Sequence, residues 1–390
     1  MPRMNPVGRR AWIRSAIERL SADYARSADT HLIRLDQRRG SDAAIYLKDE
    51  SAHPSGSLKH RLARSLFVYG IANGWIHEGR TVIEASSGST AISEAYFASL
   101  VGVPFIAVVP DNTAAKKIAA IQFHGGRVET VASPANLEGR CKALAAELDA
   151  HFIDQFTFAE RATDWRGNNN IAESLFAQMA QERHPVPDWV VVGAGTGGTS
   201  ATIGRYIRYR PELAAHTRLC VVDPQGSAYF SSFKDSNPHA TGACSTVVEG
   251  IGRPRVEASF IATVIDCMIS VSDAASVAAC LWLESRIGRR VGPSTGTNII
   301  GTLWLAEKMR ASNCGGSIAS LICDGGDRYA ETVYNPVWRA ARSLDLTEWS
   351  ARFSEYDLTG CFHMGTSDSD RGDLEIWNRE GHLEDPLFEI

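Results

Sequence analysis

The segment His53-Pro54-Ser55-Gly56-Ser57-Leu58-Lys59-His60-Arg61 places a lysine where few lysines are expected. A strand-like run over 44–50 leads into a turn carrying Pro54 and Gly56. An apolar-periodic helix follows, with Leu62, Leu66 and Tyr69 at helical spacing. Lys59 therefore falls in the first turn of that helix, where the helix dipole is positive and favours anions. An amine held there is favoured in its neutral, nucleophilic form. The same residues also read as an exposed lysine at an ordinary helix start.

Two further loops carry anion-binding chemistry. Ser86-Ser87-Gly88-Ser89-Thr90 follows the strand-like run 81–85 and opens a helix, so its hydroxyls and backbone N–H groups converge where a carboxylate is welcome. The alternative is a simple cap, with Ser89 or Thr90 as the capping side chain. No GxSxG elbow is present, which argues against a serine hydrolase. Gly193-Ala194-Gly195-Thr196-Gly197-Gly198-Thr199 lies between a buried-looking strand and a helix, as a phosphate loop does. Gly193, Gly195 and Gly198 also satisfy GxGxxG, and the next strand ends in Asp223, which leaves an NAD-dependent oxidoreductase open. Three close-set glycines with two threonines suit a single terminal phosphate better. Gly292-Pro293-Ser294-Thr295-Gly296-Thr297 precedes another helix, where a serine ordinarily serves as an N-cap.

The elements that must position these loops alternate. A first amphipathic helix over 11–28 shows Ile13, Ile17 and Leu20 on one face. Strands are expected at 44–49, 81–85, 104–109, 127–131, 188–193, 218–223, 266–271 and 317–323. Helices are expected at 57–73, 89–101, 114–124, 137–149, 169–183, 197–209, 273–287 and 296–311. Apolar β-branched strands separated by helices indicate an α/β fold of parallel-rich sheets covered on both faces. There are too many strands for one sheet, so two α/β domains are expected. Residues 1–59 form an N-terminal helix and entry strands that partly belong to the larger domain. A smaller domain spans 60–155 and a larger one 156–339. Residues 340–390 lose the alternation and form a C-terminal extension with aromatic anchors such as Trp349, Phe353, Tyr356 and Trp377.

Composition narrows the class. A net charge of -5, 44% hydrophobic residues and no basic block describe an ordinary globular chain with no nucleic-acid partner. No apolar run is long enough to span a bilayer, and no apolar segment of a signal peptide follows Met1, so a cytoplasmic location without membrane contact is expected. The eight cysteines are scattered without a CxxC pair and read as core residues or free thiols. Cys361-Phe362-His363 with Asp368 and Asp370 lacks a second ligand pair at metal-site spacing, so no metal is expected.

Taken in order, these motifs resemble the fold-type II pyridoxal-phosphate enzymes, the family of cysteine synthase and cystathionine β-synthase, whose fold is tryptophan synthase β-like. The likeness covers residues 30–335. The wording of Ser55–Phe67, Ser86–Ala91 and Trp165–Asn170 is most similar to the bacterial L-cysteine desulfhydrase branch. The resemblance implies pyridoxal 5'-phosphate as cofactor and Lys59 as its Schiff-base lysine. It implies Gly195, Thr196, Gly197, Gly198 and Thr199 as the phosphate loop, and Ser294 as the residue at the pyridine nitrogen. Ser86, Ser87, Gly88, Ser89 and Thr90 match the loop for the substrate carboxylate, with Gln155 as its glutamine partner. Gly250 and Gly252 resemble a loop near the substrate amine. Ser89 stands where the cysteine synthase pattern has an asparagine that contacts the cofactor ring hydroxyl, and Ala91 replaces a glycine.

A neutral serine at the ring nitrogen makes a weaker electron sink than an aspartate partner would. That suits β-elimination, in which the leaving group takes the electrons. The implied reaction is therefore cysteine desulfhydration to hydrogen sulfide, pyruvate and ammonia, with Lys59 as the base for the α-proton. The alternative on the same site is β-replacement, making cysteine from O-acetylserine or a related donor and sulfide. A non-enzymatic scaffold, with its tail engaging partners, is a further alternative. The resemblance also implies a homodimer.

Overall fold

The computed structural model describes residues 6–25, 29–36, 43–133, 136–243, 245–363 and 374–378. Asp368 and Asp370 of the cysteine–histidine cluster, and Cys244, lie outside the described residues. In chain order the strands are β1 (Leu32–Leu35), β2 (Ala43–Asp49), β3 (Val82–Ala85), β4 (Phe105–Pro110), β5 (Arg127–Val131) and β6 (His151–Phe152). They continue with β7 (Trp189–Gly193), β8 (Arg218–Pro224), β9 (Cys267–Val271), β10 (Gly316–Ile322) and β11 (Leu374–Asn378). The chain divides into two compact units: Met1–Asp29 with His53–Asp164, and Thr30–Ala52 with Trp165–Ile390.

The first unit is built on a four-stranded sheet in the order β5-β4-β3-β6, with every neighbouring pair parallel. The run Phe105–Pro110 is buried almost throughout, as expected for a parallel strand covered on both faces. The helix Pro6–Ala25 buries Trp12, Ala16 and Leu20, four residues apart, in one core with Phe67, Phe97 and Ile121. Because β3 and β6 are parallel neighbours, the loops after their carboxyl ends emerge at the same edge of the sheet. In open α/β sheets that edge is where ligands bind.

The second unit carries a seven-stranded sheet in the order β1-β2-β10-β7-β8-β9-β11. Its five inner strands are parallel, and only β1 and β11 at the two edges run antiparallel to their neighbours. The tail belongs to this unit's core: Trp349, Phe353, Tyr356 and Phe362 pack with Trp282, and β11 extends the sheet beside β9. Buried Cys220, Cys267 and Cys280 occupy the same core as small apolar residues, and Cys141 does so in the first unit. Among the described residues, no helix is long and apolar enough to cross a membrane.

Candidate active site

In the first unit, a turn closed by the Gly56 N–H on the His53 carbonyl at 2.7 Å delivers the chain to the helix Lys59–Ala72. Gly56 sits at φ 75°, a conformation that glycine adopts without strain. Lys59 opens this helix, with Leu58 as the capping position and no side-chain cap. The sequence expectation of a start at 57 is thus two residues early. Lys59 is half-buried, while the Ser57 hydroxyl two residues before it is buried without a hydrogen-bond partner among the described residues.

The loop 86–90 follows β3 and enters the helix Ser89–Val101. Neither Ser89 nor Thr90 caps it: Gly88 holds the capping position in extended backbone, and no side chain caps the end. A Cβ built on Gly88 would meet nothing within 4 Å, so this corner of the loop faces open space. Thr90 instead donates its hydroxyl proton to Gln155 Oε1 at 2.8 Å, between two buried side chains. Gln155 opens the helix Gln155–Ala162, just after β6, and its backbone N–H reaches Glu84 Oε2 at 3.1 Å. Glu84 Oε1 accepts the N–H of Ala85 at 2.7 Å. One carboxyl on β3 therefore ties the serine-rich loop to the glutamine. Burial pushes the Glu84 carboxyl up to about 8, against the pull of those two N–H groups.

A second network in this unit leaves little trace in the sequence. His60 Nδ1 lies 3.0 Å from Ser55 Oγ, Ser55 Oγ lies 2.8 Å from Ser93 Oγ, and Ser93 donates to the Ser89 carbonyl at 2.9 Å. Each hydroxyl has one proton to give, so the direction is fixed back along the chain. Ser93 gives its proton to Ser89, Ser55 gives its own to Ser93, and the His60 ring donates from Nδ1. Burial lowers the His60 pKa, and Asp23 lies 3.8 Å from Nε2, beyond hydrogen-bond reach. The chain locks the turn before Lys59 to the first turn of the Ser89 helix. Its only sequence signal is the four-residue spacing of Ser89 and Ser93.

In the second unit, β7 runs into the loop 195–199 and the helix Gly198–Tyr209. Gly197 is at φ 88°, and a Cβ there would lie 2.5 Å from both Phe260 Cα and the Ser259 carbonyl oxygen. Only glycine fits. Tyr229 donates to the Gly195 carbonyl at 2.7 Å and stacks on Phe260 with ring centroids 4.0 Å apart, which braces the loop from below. The loop Val248–Gly252 is tied to it as well: the Gly252 N–H reaches the Ala194 carbonyl at 2.9 Å, and Ile251 packs against Gly193. Gly250 is at φ 91°, and a Cβ added there would meet nothing within 4 Å, so this residue faces open space.

Ser294 is buried in the first turn of the helix Pro293–Ala311, which starts three residues earlier than the expected 296 and is capped by Gly292. Ser294 is thus not the N-cap that the sequence allowed. The Gly292 N–H reaches the Asp324 carbonyl at 3.0 Å, which brings this helix start to the carboxyl end of β10. Asp223, the acid of the dinucleotide-like pattern, is fully buried on β8 and accepts the Phe230 N–H at 3.0 Å. Burial pushes its carboxyl up to about 7. It serves the start of a helix and is not presented to a ribose, so the oxidoreductase reading loses its acid.

One unit carries a parallel sheet with a glycine-rich loop at a helix start, and the other a lysine and a serine-rich loop at helix starts, the motifs on which the resemblance to pyridoxal-phosphate enzymes rests. The chain belongs to that family, whose model matches residues 26–324. It is 53% identical over 352 residues to an L-cysteine desulfhydrase of Mycobacterium tuberculosis, covering 89% of this chain and 95% of that one. It is 29% identical to an N-(2-amino-2-carboxyethyl)-L-glutamate synthase of Cupriavidus metallidurans, covering 80% and 89% of the two chains. Among solved structures, a hydrogen sulfide-producing enzyme of Fusobacterium nucleatum shares the fold with a TM-score of 0.70 at 22% identity, over 82% of this chain and 92% of that one. The cofactor is pyridoxal 5'-phosphate. Each unit by itself holds groups of a kind that suits it: backbone N–H groups at the start of the Gly198 helix and the neutral Ser294 hydroxyl in the second unit, and a lysine amine in the first.

Proposed function

We propose that this protein removes sulfide from L-cysteine, consuming one water and releasing hydrogen sulfide, pyruvate and ammonia. The observation that carries this is the 53% identity to the mycobacterial L-cysteine desulfhydrase across nearly the whole of both chains. The bound cofactor supplies the electron sink when the α C–H bond breaks.

The protein's own groups divide the remaining work. Lys59 would hold the cofactor through its amine and, as a free amine, takes the substrate α-proton on Nζ. Gly195, Thr196, Gly197, Gly198 and Thr199 hold the phosphate through backbone N–H groups and hydroxyls. Ser294 meets the ring nitrogen with a hydroxyl, which leaves that nitrogen without a carboxylate to hold a proton on it. Ser86, Ser87, Gly88, Ser89 and Thr90 hold the substrate carboxylate, with Gln155 fixed beside them by Thr90 and Glu84. Gly250 borders the substrate amine. Ser89 is too short to supply the amide contact that an asparagine makes in the cysteine synthase pattern, so its hydroxyl serves the carboxylate. The working form is a homodimer in the cytoplasm.

The test is product analysis on purified protein, with Lys59→Ala as control. Sulfide and pyruvate released from L-cysteine in equal amounts, and abolished by Lys59→Ala, are the expected result. Cysteine formed from O-acetylserine and sulfide, with negligible pyruvate from cysteine, overturns it in favour of β-replacement. Size-exclusion chromatography with light scattering reads the dimer.

A further inference from the structure

The loop 86–90 is held from two directions. Thr90 is fixed to Gln155 and through it to β3 and β6. Ser89 is fixed through Ser93 and Ser55, and this second tie leads to the turn that delivers Lys59. The bond from Ser93 to the Ser89 carbonyl lies within one helix turn and is an ordinary local contact. The Ser55–Ser93 bond is not local: 38 residues separate its two hydroxyls, which meet at 2.8 Å. It joins the turn His53–Gly56 to the helix Ser89–Val101. Ser55 is gripped in turn by His60 Nδ1 at 3.0 Å, from the residue that follows Lys59. The His60 ring is itself held, stacked on His53 with centroids 4.8 Å apart and tilted against Phe97 at 4.6 Å.

Stability gives little reason for this arrangement. Ser55, His60 and Ser93 are all buried, and apolar side chains of matching shape would hold the same helices together about as well. A fully satisfied polar chain adds what apolar packing lacks, because each hydrogen bond sets both a distance and a direction. Every proton in the chain is committed the same way, from the imidazole toward the Ser89 carbonyl. The geometry so fixed is that of the Ser89 turn against the turn before Lys59, both within the first unit.

We propose that Ser55 is a positioning residue: through Ser93 it sets the carboxylate loop against the start of the Lys59 helix, so that the α-carbon of a bound amino acid stands where the Lys59 amine can take its proton. Thr90 and Gln155 govern how tightly the carboxylate is held, and Ser55 governs where it is held. The inference rests on the roles of Lys59 and of the loop 86–90 given above.

Ser55→Ala, Ser93→Ala and the double variant test it, with Ser55→Cys, close to serine in shape but a weak donor, should the alanine variant fold poorly. Rates are expressed per bound cofactor, so that unfolded protein does not count. In each single variant kcat falls about tenfold while KM moves by less than about threefold, because the carboxylate is still bound but misplaced. The double variant falls no further than the worse single one, since both cut the same chain. The second readout needs no turnover. In the full chain labelled with nitrogen-15 histidine, the His60 ring carries its proton on Nδ1 in the wild type. In Ser55→Ala that proton moves toward Nε2, the side of Asp23, and the signal is identified by its loss in His60→Asn. A wild-type kcat in Ser55→Ala, or in Ser55→Cys where the alanine variant does not fold, overturns the inference. Losses that multiply in the double variant overturn it too, as does a wild-type His60 protonated on Nε2 alone. The same pattern in a protein that makes cysteine from O-acetylserine and no sulfide from cysteine overturns the proposed reaction and leaves the Ser55 inference standing.

Discussion

The Thr90 hydroxyl and the Gln155 side-chain oxygen, 65 residues apart in the chain, meet at 2.8 Å inside the first unit. That bond joins the first turns of two helices whose starts flank the same edge of the sheet. Thr90→Val keeps the shape and leaves a buried oxygen unpaired, which costs about 1–3 kcal/mol of stability. KM for the amino-acid substrate is expected to rise about tenfold, because the glutamine is no longer held. Thr90→Ser, which restores the donor, recovers most of both. Thermal unfolding and steady-state kinetics on the pair read the outcome, and an unchanged KM in Thr90→Val counts against the carboxylate role.

Gly197→Ala combines a positive φ with a Cβ placed 2.5 Å from backbone atoms of Ser259 and Phe260. Backbone cannot swing aside as a side chain can, so the loop itself must shift. A stability loss of about 2 kcal/mol or more is expected. Protein purified from this variant should carry far less cofactor, read from its visible absorption per chain. Full cofactor content would show that the 195–199 loop does not hold the phosphate.

Tyr229→Phe is a gentler probe of the same loop. It keeps the ring stack on Phe260 and deletes only the hydrogen bond to the Gly195 carbonyl. The expected loss is about 1 kcal/mol in the melting experiment. Cofactor dissociation, followed by dilution into a trap for free aldehyde, should quicken by several-fold. A rate equal to wild type would mean that Tyr229 supports packing alone.

His151 makes acid stability testable. Burial, helped by Arg80, pushes its pKa down to about 4, below the unfolded value near 6.5. Between those values the unfolded chain binds the extra proton, so this contribution is present above pH 6.5 and is lost as pH falls toward 4. Glu84 works in the opposite sense. Its carboxyl, raised to about 8, lets stability fall as pH rises from the unfolded value of 4.5. The wild type and His151→Gln share Glu84, so their difference isolates the histidine. The variant should gain about 2 kcal/mol relative to wild type between pH 7.5 and pH 5, measured by urea unfolding at each pH. A pH-independent difference would show that His151 titrates normally.

Much of this molecule is written locally. The runs 104–109 and 188–193 are apolar and β-branched, and each forms a buried parallel strand, β4 and β7, close to its expected bounds. The loops 86–90 and 195–199 announce themselves through Ser, Thr and Gly, residue types that serve helix starts. What stayed illegible depends on partners distant in sequence. β6 is two residues long and is a strand only because His151 and Phe152 pair with Val82 and Ile83. β11 exists because β9, some hundred residues earlier, offers an open edge. Beyond the four-residue spacing of Ser89 and Ser93, the His60–Ser55–Ser93 chain leaves no trace in the sequence, since its members come from a turn and two helices.

One topological fact governs how such a chain can be made. β2 comes early, yet it pairs along its whole length with β10, Ala43 through Asp49 against Gly316 through Ile322. During synthesis the intervening first unit, complete once residue 164 has emerged, can fold while β1 and β2 still lack the central neighbour of their sheet. The early strand pair must remain unpaired on one edge until residue 322 has left the ribosome. Closure of the larger sheet is therefore the slow, non-local step of folding. Truncated chains that stop before β10 would expose that edge of β2 to aggregation.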